Sequence, residues 1–264
     1  MLNLKEIMDE ISPLWGVCPF DKIKEGLIDC RAKNRLPQNS QSVIVACFPY
    51  LLEKDSYKNI NISKYAVPTD YHTVAINRLN SAAEKLKKLY PNEEFVPFAD
   101  NSPIPEVSAA CIANLGVRGL NTLLITEKYG SYVFIGEIVT SLQTECDNTA
   151  VKTCIGCKKC IEVCPSGALK ENDFDRTLCL SEITQKKGIL SEEEIKLMKD
   201  CGCIWGCDIC QDICPMNKKA AITPIEEFIF SPVPYIDEGS DLENRAYEWR
   251  GRKEIDRNIS LHKR

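Results

Sequence analysis

Apolar and charged positions alternate at helical spacing from the amino terminus. Leu4, Ile7, Met8 and Ile11 share one face of residues 2–11, which predicts a helix. "SVIVACF" (42–48) is short, β-branched and apolar throughout, the pattern of a buried strand. Residues 73–90 predict a strongly amphipathic helix. Leu79, Ala82, Ala83, Leu86, Leu89 and Tyr90 line one side, Lys85, Lys87 and Lys88 go to water, and Pro91 ends it. "VSAACIANLG" (107–116) predicts a second helix, closed by Gly116. "NTLLIT" (121–126) and "SYVFIGEIVT" (131–140) read as strands of a hairpin turned at "EKYG". Helices and strands mix without regular β-α-β alternation, so the expected class is α+β rather than doubly wound.

Residues 141–153 are polar and aperiodic, and the domain boundary is placed there. The expected organisation is a domain over 1–150, a cysteine-rich domain over 151–219 and an extension over 220–264 with no core of its own. Within the middle part, "SEEEIKLMKD" (191–200) opens on Ser191 and Glu194, a capping box, and predicts a short helix.

Composition narrows the function. The chain has 264 residues, 44% hydrophobic and 27% charged, an ordinary globular balance. A net charge of -5 argues against avid binding to phosphate backbones. Residues 245–264 run the other way, with seven Lys/Arg against three Asp/Glu, which reads as a solvated basic tail or a modest phosphate-facing surface. The longest apolar stretch (42–52) is too short to span a bilayer, so no membrane association is expected. Fifteen cysteines are many, and most bunch between 154 and 214 with no signal peptide at the start. That pattern favours metal or cluster ligation in a reducing cytoplasm over a secreted disulfide scaffold.

Cys154, Cys157, Cys160 and Cys164-Pro165 follow the C-x2-C-x2-C-x3-C-P run of bacterial iron–sulfur proteins, in which the fourth cysteine serves a second cluster. Cys207, Cys210 and Cys214-Pro215 supply a second C-x2-C-x3-C-P ending that lacks a first cysteine. Cys179 is the leading candidate for it, with Cys201 and Cys203 as alternatives. Crossing of the fourth ligands gives Cys154, Cys157, Cys160 and Cys214 for one 4Fe–4S cluster and Cys164, Cys179, Cys207 and Cys210 for the other. Zinc knuckles are the competing reading. Cys18, Cys30, Cys47, Cys111 and Cys146 are scattered and read as buried or free thiols.

About 150 residues precede the cysteines, more than an electron carrier needs. In "FADNSPIPE" (98–106), Asp100 stands in a Pro-rich loop where a carboxyl could serve as a general acid, or simply form the turn. Glu106 reads as a helix-start residue. Asp70-Tyr71-His72 approaches a cobalamin-binding D-x-H-x-x-G motif, but Ala75 stands where glycine is needed, and Asp70 reads as a helix cap. The only histidines are His72 and His262, which excludes histidine-rich metal sites. No Gly-rich dinucleotide or P-loop motif is present.

Taken in order, "SVIVACFPY" (42–50), "ISKYAVPTDYH" (62–72), "FADNSPIPE", "LGVRGLNTLLI" (115–125), "GSYVFIGEIVT" (130–140), the cysteine run, "CLSEIT" (179–184), "GCDICQDICPMN" (206–217) and "RGRKEIDRNISL" (250–261) resemble the epoxyqueuosine reductases, cobalamin-dependent iron–sulfur enzymes of tRNA queuosine biosynthesis. The resemblance implies a nitroreductase-like, cobalamin-binding α/β sandwich followed by a two-cluster ferredoxin-like domain. It implies base-off cobalamin, a low-potential electron donor and tRNA as partners, and Asp100 as the proton donor to the epoxide oxygen. Ser63, Tyr65, Asp100, Leu124, Ile135, Ser181, Cys207 and Asp208 match places where the family touches the corrin. The sequence departs from the family pattern at Leu120, in place of a lysine, and at Val107, in place of an arginine. Members of the family usually continue into HEAT-like repeats, whereas this sequence ends at Arg264. These departures leave room for a related reductase of a small molecule, dehalogenase-like, or for an electron-transfer protein without cobalamin.

Overall fold

The computed structural model describes residues 3–144 and 153–262. Cys146 and most of the expected boundary at 141–153 lie outside them. The chain forms two compact units, each drawn from separate stretches of sequence. The first takes residues 1–49, 72–119 and 123–154, and the second takes 50–71, 120–122 and 155–264. Residues 50–71, placed in the amino-terminal domain on sequence grounds, therefore cluster with the cysteine-rich part.

The first unit is built on a four-stranded antiparallel sheet, ordered β1 (Leu14–Pro19), β2 (Ser42–Pro49), β6 (Val133–Thr140) and β3 (Phe95–Ala99). Every residue of β2 is buried, which explains its unbroken apolar sequence: both of its faces are covered. On one face Val43, Val45 and Cys47 join a core with Ala109 and Ala110 of α3 (Glu106–Ile112). On the other, Leu79 of α2 (Tyr71–Leu89) lies over Gly136. A Cβ at Gly136 would stand 2.7 Å from Leu79 Cδ1 and 3.2 Å from Phe48 Cε2, so the helix can approach the sheet there only because position 136 has no side chain. α1 (Leu4–Ile11) buries Ile7, Met8 and Ile11 and is closed by an Asn3–Glu6 capping box. It is tied to α2 by Arg78, which donates to the Ile11 carbonyl (3.0 Å).

Three local expectations change. The hairpin over 121–140 does not form. β5 (Leu124–Ile125) pairs with β4 (Val117–Arg118), while β6 enters the main sheet between β2 and β3, and only a single bridge, Thr126 to Gly130, closes the "EKYG" turn. The helix expected over 107–116 stops at Ile112. Asn114 takes the left-handed conformation (φ 59°), and Leu115 N–H bonds back to Ala110 O (3.0 Å) while Asn114 N–H bonds to Cys111 O (3.1 Å). This is a Schellman ending built on asparagine in place of glycine. β1 and β3 were not anticipated. They are the edge strands, where Pro19 and Pro97 cost no central ladder bond.

The second unit is mainly short helices. α4 (Lys159–Glu162) and α7 (Ile209–Asp212) pack on each other, and each contains the last cysteine of a C-x2-C pair and ends two residues before a Cys-Pro. α5 (Leu180–Gln185) packs with α6 (Glu192–Cys201), whose capping box forms as expected: Glu194 N–H donates to Ser191 Oγ (3.2 Å) and Ser191 N–H to the Glu194 carboxylate (2.8 Å).

Residues 220–262 are not a separate extension. Phe228 of α8 (Glu226–Ile229) is fully buried in this unit, and Ile236, Tyr247, and Ile255 and Ile259 of α9 (Arg252–Leu261) join one core with Leu52, Ile62, Val67 and Trp205. Nor is the basic tail simply solvated. Arg245 donates to Ser231 O (2.7 Å), Arg252 to Asp237 O (3.0 Å), and Arg257 to Lys186 O (2.7 Å) and Gly188 O (2.8 Å), so these guanidinium groups tie loops together. Among the described residues, no helix is long and apolar enough to cross a membrane.

Candidate functional site

β3 ends at Ala99, and the chain turns at once through two left-handed residues, Asp100 (φ 55°) and Asn101 (φ 43°). Asp and Asn tolerate that region better than other L-residues, and two in succession mark a loop held against its own preference. Ser102 Oγ accepts from Ile104 N–H (3.1 Å), and Pro103 O accepts from Ile28 N–H (2.8 Å), which fixes the loop. Asp100 is thereby presented half-exposed, with Oδ2 3.4 Å from Nε2 of His72 in the first turn of α2. The residue expected to be an acid thus stands beside one of the two histidines in the chain. No spacing rule links positions 72 and 100, so the pairing was not visible in the sequence.

Two more carboxyls lie behind it. Glu106, the first residue of α3, has its pKa raised to about 7, chiefly by burial and then by the Asp100 charge. Glu137, in the middle of β6, has no exposed surface. Burial first, and the Glu106 charge second, hold its carboxyl well above the ordinary range. Ser102 approaches Glu137, but neither carboxylate oxygen has a well-formed hydrogen bond. Glu106 does start a helix, as the sequence suggested, and it is also an acid poised near neutrality. Glu137 was missed: a lone carboxyl in an apolar strand carries no spacing signal.

The second unit gathers the cysteines. Cys207 and Cys210 are pushed up to about 12, each mainly by burial, with Cys179 among the thiols that act on both. Cys210 also feels Cys160 and Cys164. Cys160, Cys164, Cys179 and Cys207 are thus near enough to Cys210 to act on its thiol, although among the described residues no three His, Cys, Asp or Glu side chains are grouped as a single metal ion would need. Cys164 differs in kind. Burial opposes its ionisation, but hydrogen bonds from Leu169 N–H, the Ser166 hydroxyl and the N–H groups of Ser166 and Ala168 outweigh it and hold its pKa below the ordinary value. Cys160 and Cys214 are buried, Cys157 is exposed, and Cys154 falls in the first unit. No disulfide joins the described cysteines, Cys18, Cys30, Cys47 and Cys111 among them. Of the alternative ligands, Cys203 donates its S–H towards Trp205 O (3.3 Å) and Gly206 O (3.1 Å), while Cys201 acts on Cys207 and is itself raised by burial, then by Asp200 and Cys164.

Five residues expected to touch a corrin also assemble in this unit. Asp208 accepts from the Ser63 hydroxyl (2.5 Å) and Lys64 N–H (2.7 Å). Burial raises its pKa in spite of those bonds. Tyr65 OH accepts from Trp205 Nε1 (2.7 Å). Gly206, at φ 74°, lets the two segments meet: a Cβ there would be 2.5 Å from Ser63 Cβ. Thr184 accepts from Gly206 N–H (2.9 Å) and donates to Ser181 O (2.8 Å), so Ser181 and Cys207 are set by one network. Asn121, also of this unit, is buried with both ends of its side-chain amide unpartnered. Of the first-unit residues, Leu124 is in the α3-side core and Ile135 packs against it.

A sheet-based α+β unit joined to paired Cys-Pro motifs, with acids beside a loop in the first and converging thiols in the second, defines an iron–sulfur protein of the redox-enzyme kind. Residues 153–217 match the family described as 4Fe-4S double cluster binding domain, and residues 31–101 match Epoxyqueuosine reductase QueG, DUF1730. The epoxyqueuosine reductase of Cyclobacterium marinum is 32% identical over 219 residues, covering 81% of this chain and 68% of that protein. That of Lactococcus garvieae is 33% identical over 220 residues, covering 78% of this chain, which spans 62% of that relative's length. A solved epoxyqueuosine reductase with an epoxyqueuosine-modified tRNA-Tyr stem loop shares the fold at a TM-score of 0.81 and 24% identity, over 98% of this chain and 79% of that one. The chain belongs to the epoxyqueuosine reductase family, and its cysteine-rich segment is a domain for two 4Fe–4S clusters.

Proposed function

We propose that the protein is a cobalamin-dependent, cytoplasmic oxidoreductase that reduces epoxyqueuosine to queuosine in tRNA, drawing electrons from a low-potential donor. The observation that carries the reading is the match of residues 153–217 to a 4Fe-4S double cluster binding domain in a member of this family. We assign Cys164, Cys179, Cys207 and Cys210 to one cluster and Cys154, Cys157, Cys160 and Cys214 to the other. Cys203 is left out because its S–H is already engaged by two carbonyls. Short x2 spacings let one loop reach several corners of a cubane, and ligation requires the thiols of Cys207 and Cys210 to lose protons that burial otherwise keeps on them.

The donor set also fits a corrin, whose rim carries amide side chains. The unpartnered amide of Asn121 offers a complementary donor and acceptor, and the Ser63–Tyr65 and Ser181–Asp208 segments are held firmly enough to present backbone groups. In the first unit, Asp100 offers a proton. When bound, cobalamin would supply a strongly reducing low-valent cobalt. The net change takes two electrons and two protons: the epoxide oxygen leaves as water and a carbon–carbon double bond remains. Asp100 gives a proton to the epoxide oxygen, which turns a poor alkoxide leaving group into a neutral one. His72, at 3.4 Å, holds the Asp100 carboxyl in place.

Anaerobic reconstitution tests the reading. About eight iron atoms per chain and a base-off cobalamin spectrum are expected, with queuosine appearing in epoxyqueuosine-containing tRNA. Asp100→Asn should keep iron and cobalamin but lose turnover by about a hundredfold or more. Full turnover in that variant removes Asp100 from its role, and failure to bind cobalamin favours an electron carrier.

A further inference from the structure

Glu137 has no evident structural reason to be where it is. It sits between Gly136 and Ile138 on a central strand, across from Val45 on β2 and Phe98 on β3, with no accessible surface and, although Ser102 approaches, no well-formed hydrogen bond to either carboxylate oxygen. A buried polar group without a partner is destabilising, and an aliphatic side chain would fit this environment better. Its electrostatic neighbour is Glu106, and the neighbour of Glu106 on its other side is Asp100. Asp100 in the surface loop, Glu106 at the head of α3 and Glu137 on β6, against which α3 packs, are therefore linked from the loop to the interior of the sheet.

The other titratable groups facing this series offer little compensation: Arg35 lies over the Phe98 ring, 4.7 Å from its centroid, but is not among the groups that act on Glu137. β2 contributes the buried thiol of Cys47, which feels Glu137. β1 contributes Cys18, whose thiol faces Pro19 O (3.4 Å). α3 adds Cys111, on which Arg118 of β4 acts, and α2 adds His72, which meets Asp100. β5 brings only Leu124 and Ile125. Two negative charges cannot be held side by side in such surroundings, so a proton stays with the pair.

We propose that Glu106 and Glu137 together store a proton beside Asp100, from which the Asp100 carboxylate is reprotonated after it has acted as an acid. The proton leaves the Glu106 carboxyl O–H for an Asp100 oxygen. Glu137 then shares its own proton with the Glu106 carboxylate, and a proton from water restores the pair. No electrons move. Glu106 is suited to this step because its raised pKa lies near neutrality, while the more deeply buried Glu137 stays neutral to higher pH. Glu106 and Glu137 are positioning residues that act through Asp100. The reloading step rests on the reading of Asp100 as the acid, whereas the stored proton does not.

The test therefore has two arms. Infrared difference spectra of the protein across a pH series read protonated carboxyls directly, without cofactor or substrate. The wild type should show two protonated carboxyls in mildly acidic solution, that of the partly buried Glu106 titrating near neutrality and that of the buried Glu137 persisting above it. Glu106→Gln should remove the first signal and Glu137→Gln the second. Absence of any protonated carboxyl at neutral pH overturns the store. In the reconstituted enzyme, Glu106→Gln should leave the first turnover nearly unchanged and slow later turnovers by roughly tenfold or more, with loss of the pH limb near neutrality. A first turnover slowed as much as the later ones, or an unchanged steady state, overturns the reloading. If Glu137→Gln does not fold, Glu106→Gln decides alone. If no version forms queuosine while the infrared result holds, the activity assignment falls and the proton store stands.

Discussion

Asp208 offers a quantitative test of how residues 63–65 are held against the cysteine loop. Its carboxylate accepts the Ser63 hydroxyl at 2.5 Å and Lys64 N–H at 2.7 Å, bonds that join chain segments far apart in sequence. Replacing it by alanine removes two hydrogen bonds to an ionised acceptor, each contributing about 1.5–3 kcal/mol, and strands both donors. Against that, burial raises the pKa of Asp208 even with those partners in place, so removing the carboxylate also relieves desolvation. The net loss for Asp208→Ala should be about 3 kcal/mol. Asp208→Asn keeps one acceptor oxygen but turns an amide N–H towards Lys64 N–H, so it should lose about half as much. The assay is urea unfolding followed by cluster absorbance in the reconstituted protein. The midpoint should drop by about 1 M for alanine and less for asparagine. Equal midpoints for wild type and alanine, with full iron content, would refute the idea that this carboxylate ties the two segments together.

Further outcomes are expected. Cys179→Ser should cost roughly half of the bound iron, and Cys203→Ser should leave iron unchanged, both read by iron analysis after anaerobic reconstitution; the reverse pattern exchanges their roles. The folded pKa of Glu106 is raised to about 7 from an ordinary 4.5, chiefly by burial and then by Asp100, so its stabilising contribution is complete below about pH 4.5 and is lost as pH rises to about 7. Relative to Glu106→Gln, the wild type should accordingly lose up to about 3 kcal/mol between pH 4.5 and 8 in urea titrations; an equal pH dependence of the two proteins would deny the shift. Gly136→Ala should cost about 1–3 kcal/mol in thermal melts, since its Cβ would press on Leu79 Cδ1 at 2.7 Å, and Leu79→Ala in the same chain should recover part of that loss.

The features legible in the sequence are those whose cause is local. β2 was recognised because burial on both faces imposes an uninterrupted apolar run. The α6 capping box spans only four residues, and the cysteine motifs are short because a cubane is small. Features set by distant partners were not legible. Leu124–Ile125 and Val133–Thr140 are near neighbours in sequence, yet β6 finds its partners at Ser42–Pro49 and Phe95–Ala99, and nothing within residues 121–140 announces that preference. β1 and β3 were hidden by Gly16, Pro19 and Pro97, residues that an edge strand accepts. Asn114 ended its helix where glycine was the expected signal. In the site, Asp100 could be singled out from its loop, but His72 and Glu137 became relevant only once the fold had brought α2 and β6 to it.

The threading of the chain limits how this protein can be divided. Leaving β2, it enters the cysteine-rich unit at Tyr50, returns at His72, and re-enters for Leu120–Thr122 before the final crossing near Cys154. Along the first excursion, Ile204 N–H bonds to Asn61 O (2.8 Å) and Ser63 N–H to Trp205 O (2.7 Å), and Ile62 bridges Trp205. A gene split at position 150 would consign that excursion to one fragment and its hydrogen-bonding strand to the other. The amino-terminal piece would carry Leu52, Ile62, Ala66 and Val67 bare, and its complement would lose a wall of its core. Exchanging the cluster-bearing segment for a free-standing ferredoxin would thus leave the first excursion without the residues it packs on and bonds to.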